Sequence, residues 1–60
     1  MIYKFECNEI DLCNLEVELR DENVVLTIEE QDVIPSSIFL NKKDIYHLIG
    51  ALHLLHKEMK

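Results

Sequence analysis

Residues 15–30 read LEVELRDENVVLTIEE, and the alternation in this stretch decides the fold. Leu15, Val17 and Leu19 occupy every second position of the first half, and Val24, Leu26 and Ile28 do the same in the second. Glu16, Glu18, Thr27 and Glu29 fill the positions between them. A period of two is the mark of a half-buried strand, because successive side chains leave a strand on opposite faces. Asp21, Glu22 and Asn23 separate the two runs and favour a tight turn, Asn tolerating positive φ. The stretch therefore predicts a β-hairpin with an apolar face turned inward and an acidic face turned outward.

Moving toward the N-terminus, residues 2–7 alternate Tyr3, Phe5 and Cys7 with Ile2, Lys4 and Glu6, which predicts another strand, and Asn8 and Glu9 follow as a turn. Ile10 and Leu12 share a parity that Leu15 and Val17 do not. The register must flip near Cys13 and Asn14, through a bulge or a break.

Toward the C-terminus, the single proline, Pro35, lies in the polar residues 31–37, where a central strand cannot run. Residues 37–40 read as a short edge strand. Asn41 then opens a helix, its side chain placed to cap free amides, with Asp44 three residues on as the second half of a capping box. Leu40 and Ile45 are spaced as a hydrophobic staple across that cap. At about 100° per residue, Ile45, Leu48, Ile49, Leu52, Leu55 and Met59 form one stripe, which should pack on the sheet. His56 falls in the same arc and is expected as a buried, hydrogen-bonded histidine at its margin. The fold class is thus α+β: a small antiparallel sheet of three to four strands with one C-terminal amphipathic helix packed on one face, residues 1–60 forming a single domain.

Sixty residues leave a marginal core, since a chain of this size buries only about 60% of the surface it exposes when unfolded. A second copy or another partner is the expected complement. The net charge of −6 is unevenly divided. The first 32 residues carry ten acids against Lys4 and Arg20, whereas the last 28 carry Asp44 and Glu58 against Lys42, Lys43, Lys57 and Lys60. Nucleic acid and anionic membrane need clustered cations, so direct binding to either is not expected. No apolar run approaches the roughly 20 residues of a membrane span, and the start, MIYKFECNEI, lacks the apolar core of a signal peptide. Cys7 and Cys13 are too close for a disulfide that would compensate for a small core. Reduced thiols and a cytoplasmic setting follow as the expectation.

Three groups of side chains are candidates for function. Glu16, Glu18 and Glu29 lie on the outward sheet face, where regularly spaced carboxylates suit a basic protein partner, such as the nucleic-acid groove of an enzyme. Lys42 and Lys43, in the first helical turn beside free amides, suit a small anionic ligand such as a nucleotide at a subunit interface, with His53 nearby. Tyr46, Gly50, Leu54 and Lys57 share a helix face opposite the main stripe and suit self-association, Gly50 allowing close backbone approach. His53 and His56 with Cys7 and Cys13 offer zinc-ligand types, but their spacing fits no usual zinc pattern, so no metal or other cofactor is assigned. No nucleophile has a base beside it in the pattern, and no catalytic role is assigned.

No residue pattern carries a family assignment. As a short, acidic chain without catalytic signatures and expected to be oligomeric, it is similar in kind to the accessory proteins of phages and mobile elements, a likeness of class that assigns no residues. The leading expectation is a non-catalytic, homo-oligomeric binding protein that occupies or inhibits a partner protein through its acidic face. A binder of an anionic small molecule and a structural assembly subunit are the rivals.

Overall fold

A computed structural model of the chain describes residues 1–9 and 12–60. The elements are β1 (Ile2–Glu6), β2 (Cys13–Arg20), β3 (Asn23–Glu30), β4 (Ser36–Leu40) and α1 (Lys42–Glu58). The strands form one antiparallel sheet in the order β1-β2-β3-β4, so each pairs with its sequence neighbour and β1 and β4 are the edges. The expected α+β class, an antiparallel sheet of three to four strands followed by one C-terminal helix, is observed, with four strands.

The central hairpin follows the alternation. Leu15 pairs with Ile28, Val17 with Leu26 and Leu19 with Val24, which puts all six on one face. Tyr3 and Phe5 join it from β1, opposite Val17 and Leu15, and Ile38 and Leu40 join from β4, opposite Leu26 and Val24. The turn is shorter than expected: Arg20 pairs with Asn23, leaving Asp21 and Glu22 as a two-residue loop. Positive φ falls on Asp21, at 55°, and Asn23 belongs to β3. Both residue types tolerate that region, and the register decides which of them occupies it.

Cys13 and Asn14 pair with Glu30 and Glu29 in unbroken register, so the bulge or break expected near them is not within β2. Leu12 sits at φ 60°, its carbonyl accepts from Gln31 N–H at 3.2 Å, and β2 starts immediately after it. Ile10 lies outside the described residues. Between β3 and β4 the chain turns at Asp32, φ 62°, and passes Pro35 before the edge strand.

Asn41 alone separates β4 from α1. Its side chain accepts from Asp44 N–H at 2.9 Å, while the Asp44 carboxylate accepts from Asn41 N–H at 3.4 Å, completing the capping box. Ile45 and Leu48 are half-buried, and Ile45 shares a small hollow with Leu19, Val24 and Leu40. Beyond Leu48 every residue of the helix is exposed, including Ile49, Leu52, Leu55 and Met59. The stripe therefore meets its own sheet only in its first turns, through β3 and β4. His56, expected buried, is exposed for the same reason. The helix leaves β4 through one residue, Asn41, and runs off the sheet after its first turns.

Among the described residues only Val25 is buried, at 2% exposure. It lies between Glu18 on β2 and Phe39 on β4, on the face opposite the apolar one. Long side chains lay apolar stems over a short neighbour. The apolar face has no such cover, and Tyr3, Phe5, Leu19, Ile28 and Ile38 on it are all half or more exposed.

Candidate interaction surface

The sheet separates its side chains into two surfaces of opposite character. The polar face holds Lys4, Glu6, Asn14, Glu16, Glu18, Arg20, Thr27, Glu29 and Ser37, by the parity of the paired strands. Glu16, Glu18 and Glu29, singled out from the sequence, are thus brought together on one face. Two of them are already engaged: Lys4 Nζ lies 3.7 Å from Glu16, which it faces directly across β1 and β2, and Arg20 pairs with Glu18. Sequence reasoning passed over Lys4 and Arg20 as members of this surface. The signal was present, since both have the same parity as the glutamates. Exposed pairs of this kind are worth about 0–1 kcal/mol, so they shape the field of the face more than its stability.

Glu29 is the most perturbed carboxyl here. A hydrogen bond with Glu16 raises its pKa above the ordinary range, the Glu16 charge and burial add to this, and Lys4 works the other way. Its Oε1 is shut off from water and meets no donor. Two neighbouring carboxyls favour a state in which one of them keeps its proton, which is the direction of the Glu29 shift. Thr27 and Ser37 add a cross-strand hydroxyl contact at 2.9 Å. Ile2 and Phe39, with the buried Val25 beside them, make an apolar corner on this otherwise polar face.

Lys42 and Lys43 line a shallow groove with Asn41, Glu22 and Asn23. The two cations are therefore accompanied by the Glu22 carboxylate from the β2–β3 turn, and the Asp44 carboxylate occupies the helix start. His53 is not brought to them: ten residues along a helix is about 15 Å. It lines instead an open hollow on the helix surface with Tyr46, His47, Ile49, Gly50 and Ala51.

Tyr46, Gly50, Leu54 and Lys57 occupy one exposed helix face, and the space a side chain would take at Gly50 is open. The apolar stripe on the other side is exposed from Ile49 onward, Ile45 and Leu48 being half-buried.

Cys7 and Cys13 form no disulfide and sit at the loop end of the β1–β2 pair, joined by a backbone hydrogen bond from Cys7 N–H to Cys13 O at 2.9 Å. Burial pushes the Cys13 thiol up, with Cys7 and Glu30 adding to the shift. A raised thiol is a poorer nucleophile. Among the described residues no three of His, Cys, Asp and Glu gather as metal ligands, and no helix is long and apolar enough to cross a membrane.

The chain matches no family model, no curated protein and no solved structure.

Proposed function

We propose that this chain is a non-catalytic binding protein of the cytoplasm that engages a basic protein partner with the polar face of its sheet. The observation that supports this reading is the gathering of Glu16, Glu18 and Glu29 on one face, in a chain of net charge −6. Lys4 and Arg20 set within the carboxylates give that face a pattern as well as a sign. Like charges turned toward a wrong partner cost binding, so the pattern is a source of specificity. Occupation of a nucleic-acid enzyme's groove is one form such binding takes.

The test is association with proteins of the native cells, recovered by cross-linking to the parent chain and to the Glu16→Lys/Glu18→Lys double variant. A basic protein retained by the parent is expected, with association that slows as salt rises, because charges are screened over roughly 8 Å at physiological ionic strength. The double reversal should lose that protein while keeping its melting temperature. Equal capture by both chains overturns the reading.

A small anionic ligand is the second reading, supported by the groove that Lys42 and Lys43 share with Asn41. Calorimetry with cyclic and linear nucleotides tests it. Binding that disappears in Lys42→Ala/Lys43→Ala supports it, and absence of heat with the parent removes it.

A further inference from the structure

The sheet face of Leu15, Val17, Leu26 and Ile28 and the helix stripe are both apolar and both partly open to water, and they are the two surfaces that would ordinarily cover each other. Within one chain they meet only at the start of the stripe, where Ile45 shares a hollow with Leu19, Val24 and Leu40. Asn41 is the whole connection between β4 and α1, and its capping box holds the helix start. The stripe from Ile49 through Leu52 and Leu55 to Met59 is 54–73% exposed, although it carries the spacing of a buried helix face.

Two measures of size give the scale of what is missing. The Cα radius of gyration is 12.9 Å, where a compact chain of this length has about 10 Å. The accessible surface is 5703 Å², about 1,600 Å² more than a compact monomer of 7.1 kDa exposes. Two chains that each removed that excess would bury roughly 3,000 Å² in total, within the span of about 2,000–5,000 Å² found for obligate homodimers.

We infer that a second copy of this chain supplies the cover: in a twofold dimer, the α1 stripe of each copy lies across Leu15, Val17, Leu26 and Ile28 of the other. The dimensions agree. The 17-residue helix is about 25 Å long and 10 Å wide, and the eight-residue strands β2 and β3 are about 27 Å long. The charge distribution agrees as well. Parity places no charge on the apolar face before Glu30 at its rim, and Glu16, Glu18 and Glu29 lie on the reverse, so two chains of −6 can meet without opposing carboxylates. An acidic or basic partner would find no counter-charge there. An isologous exchange uses one sheet surface and one helix surface twice, and it closes at two copies. The face of Tyr46, Gly50, Leu54 and Lys57 then points away from the contact.

The dimer leaves the polar face outside, so its existence and the binding of a basic partner stand or fall separately. Sedimentation equilibrium from about 1 to 100 µM gives the mass across the range where obligate dimers of this size persist. Isotope-filtered NOE spectroscopy on a mixture of labelled and unlabelled parent chains gives the contact. A dimer is expected, with interchain NOEs from Leu52 and Leu55 methyls to those of Leu15, Val17 and Leu26. Leu52→Ala should weaken it more than about 100-fold, since each dimer loses two buried leucines, and Leu54→Arg should leave the mass unchanged. A monomer throughout the range overturns the inference. So does a dimer whose interchain NOEs run only between the two helices through Leu54, which would put the contact on the other helix face. The NOE spectra are those of the parent chain, so the outcome does not depend on any variant folding.

Discussion

The two faces of the sheet differ in a way opposite to their chemistry. The face built of Leu15, Val17, Leu26 and Ile28 is partly open to water throughout, while the face built of glutamates holds the one buried residue among those described, Val25. Alternation determines which side chains share a face. Coverage is a separate matter, set on the polar side by neighbours such as Glu18 and Phe39 and on the apolar side by α1, which reaches it only with its first turns.

The sharpest way to break this comparison is to place the same charge on adjacent residues of β3. Leu26→Asp should cost more than about 3 kcal/mol, because the position is desolvated once the face is covered. Thr27→Asp, on the reverse, should cost about 1 kcal/mol or less, losing the Ser37 hydroxyl contact and adding a charge near Glu16. Denaturant unfolding at one fixed protein concentration measures both. Equal costs would show that the two faces are equally wet.

Val25→Ala tests the polar face from beneath. Removing two methyl groups from a buried site costs about 2 kcal/mol, and the substitution should do so at a position that parity alone assigns to solvent. A change below about 0.5 kcal/mol, as for an exposed side chain, would show that the cover over Val25 does not exclude water.

The fold was legible because it is written in short-range terms. Strand parity gave the common face of Leu15, Val17, Leu26 and Ile28, the capping residues gave the helix start at Asn41, and Pro35 gave the break before the edge strand. The carboxylates Glu16, Glu18 and Glu29 were placed on one face for the same reason. What the pattern could not carry is the direction of α1. A stripe such as Ile49, Leu52 and Leu55 states that the helix is to be covered without stating by what, and a one-residue connection resolves that only in three dimensions. Lys4 and Arg20 were legible by parity but were weighed as charge rather than as neighbours of Glu16 and Glu18. The burial of Val25 had no signal in the alternation at all.

The smallest expected effect is a pH dependence from Glu29. Its folded pKa is raised, so between the ordinary glutamate value near 4.5 and the raised value the folded chain holds a proton that the unfolded chain has lost. The stabilisation is fully present below that ordinary value and is lost as pH rises through the folded one. Glu29→Gln keeps a hydrogen-bonding amide in place of the acid and should flatten this part of the stability-versus-pH curve, so that the variant gains on the parent as pH rises toward neutrality. Curves that stay parallel from about pH 4 to 7 would show that the Glu16–Glu29 proton is not held in solution.

That the apolar face is completed by another copy of the chain is tested most directly by melting the parent protein at different concentrations. A dimer that unfolds to two chains gains stability with concentration, by about 2.7 kcal/mol for a hundredfold increase, which for about 120 residues unfolding together corresponds to roughly 10 °C. The melting temperature is expected to rise by that order between about 5 and 500 µM. A melting temperature that stays constant over the same range would contradict the dimer.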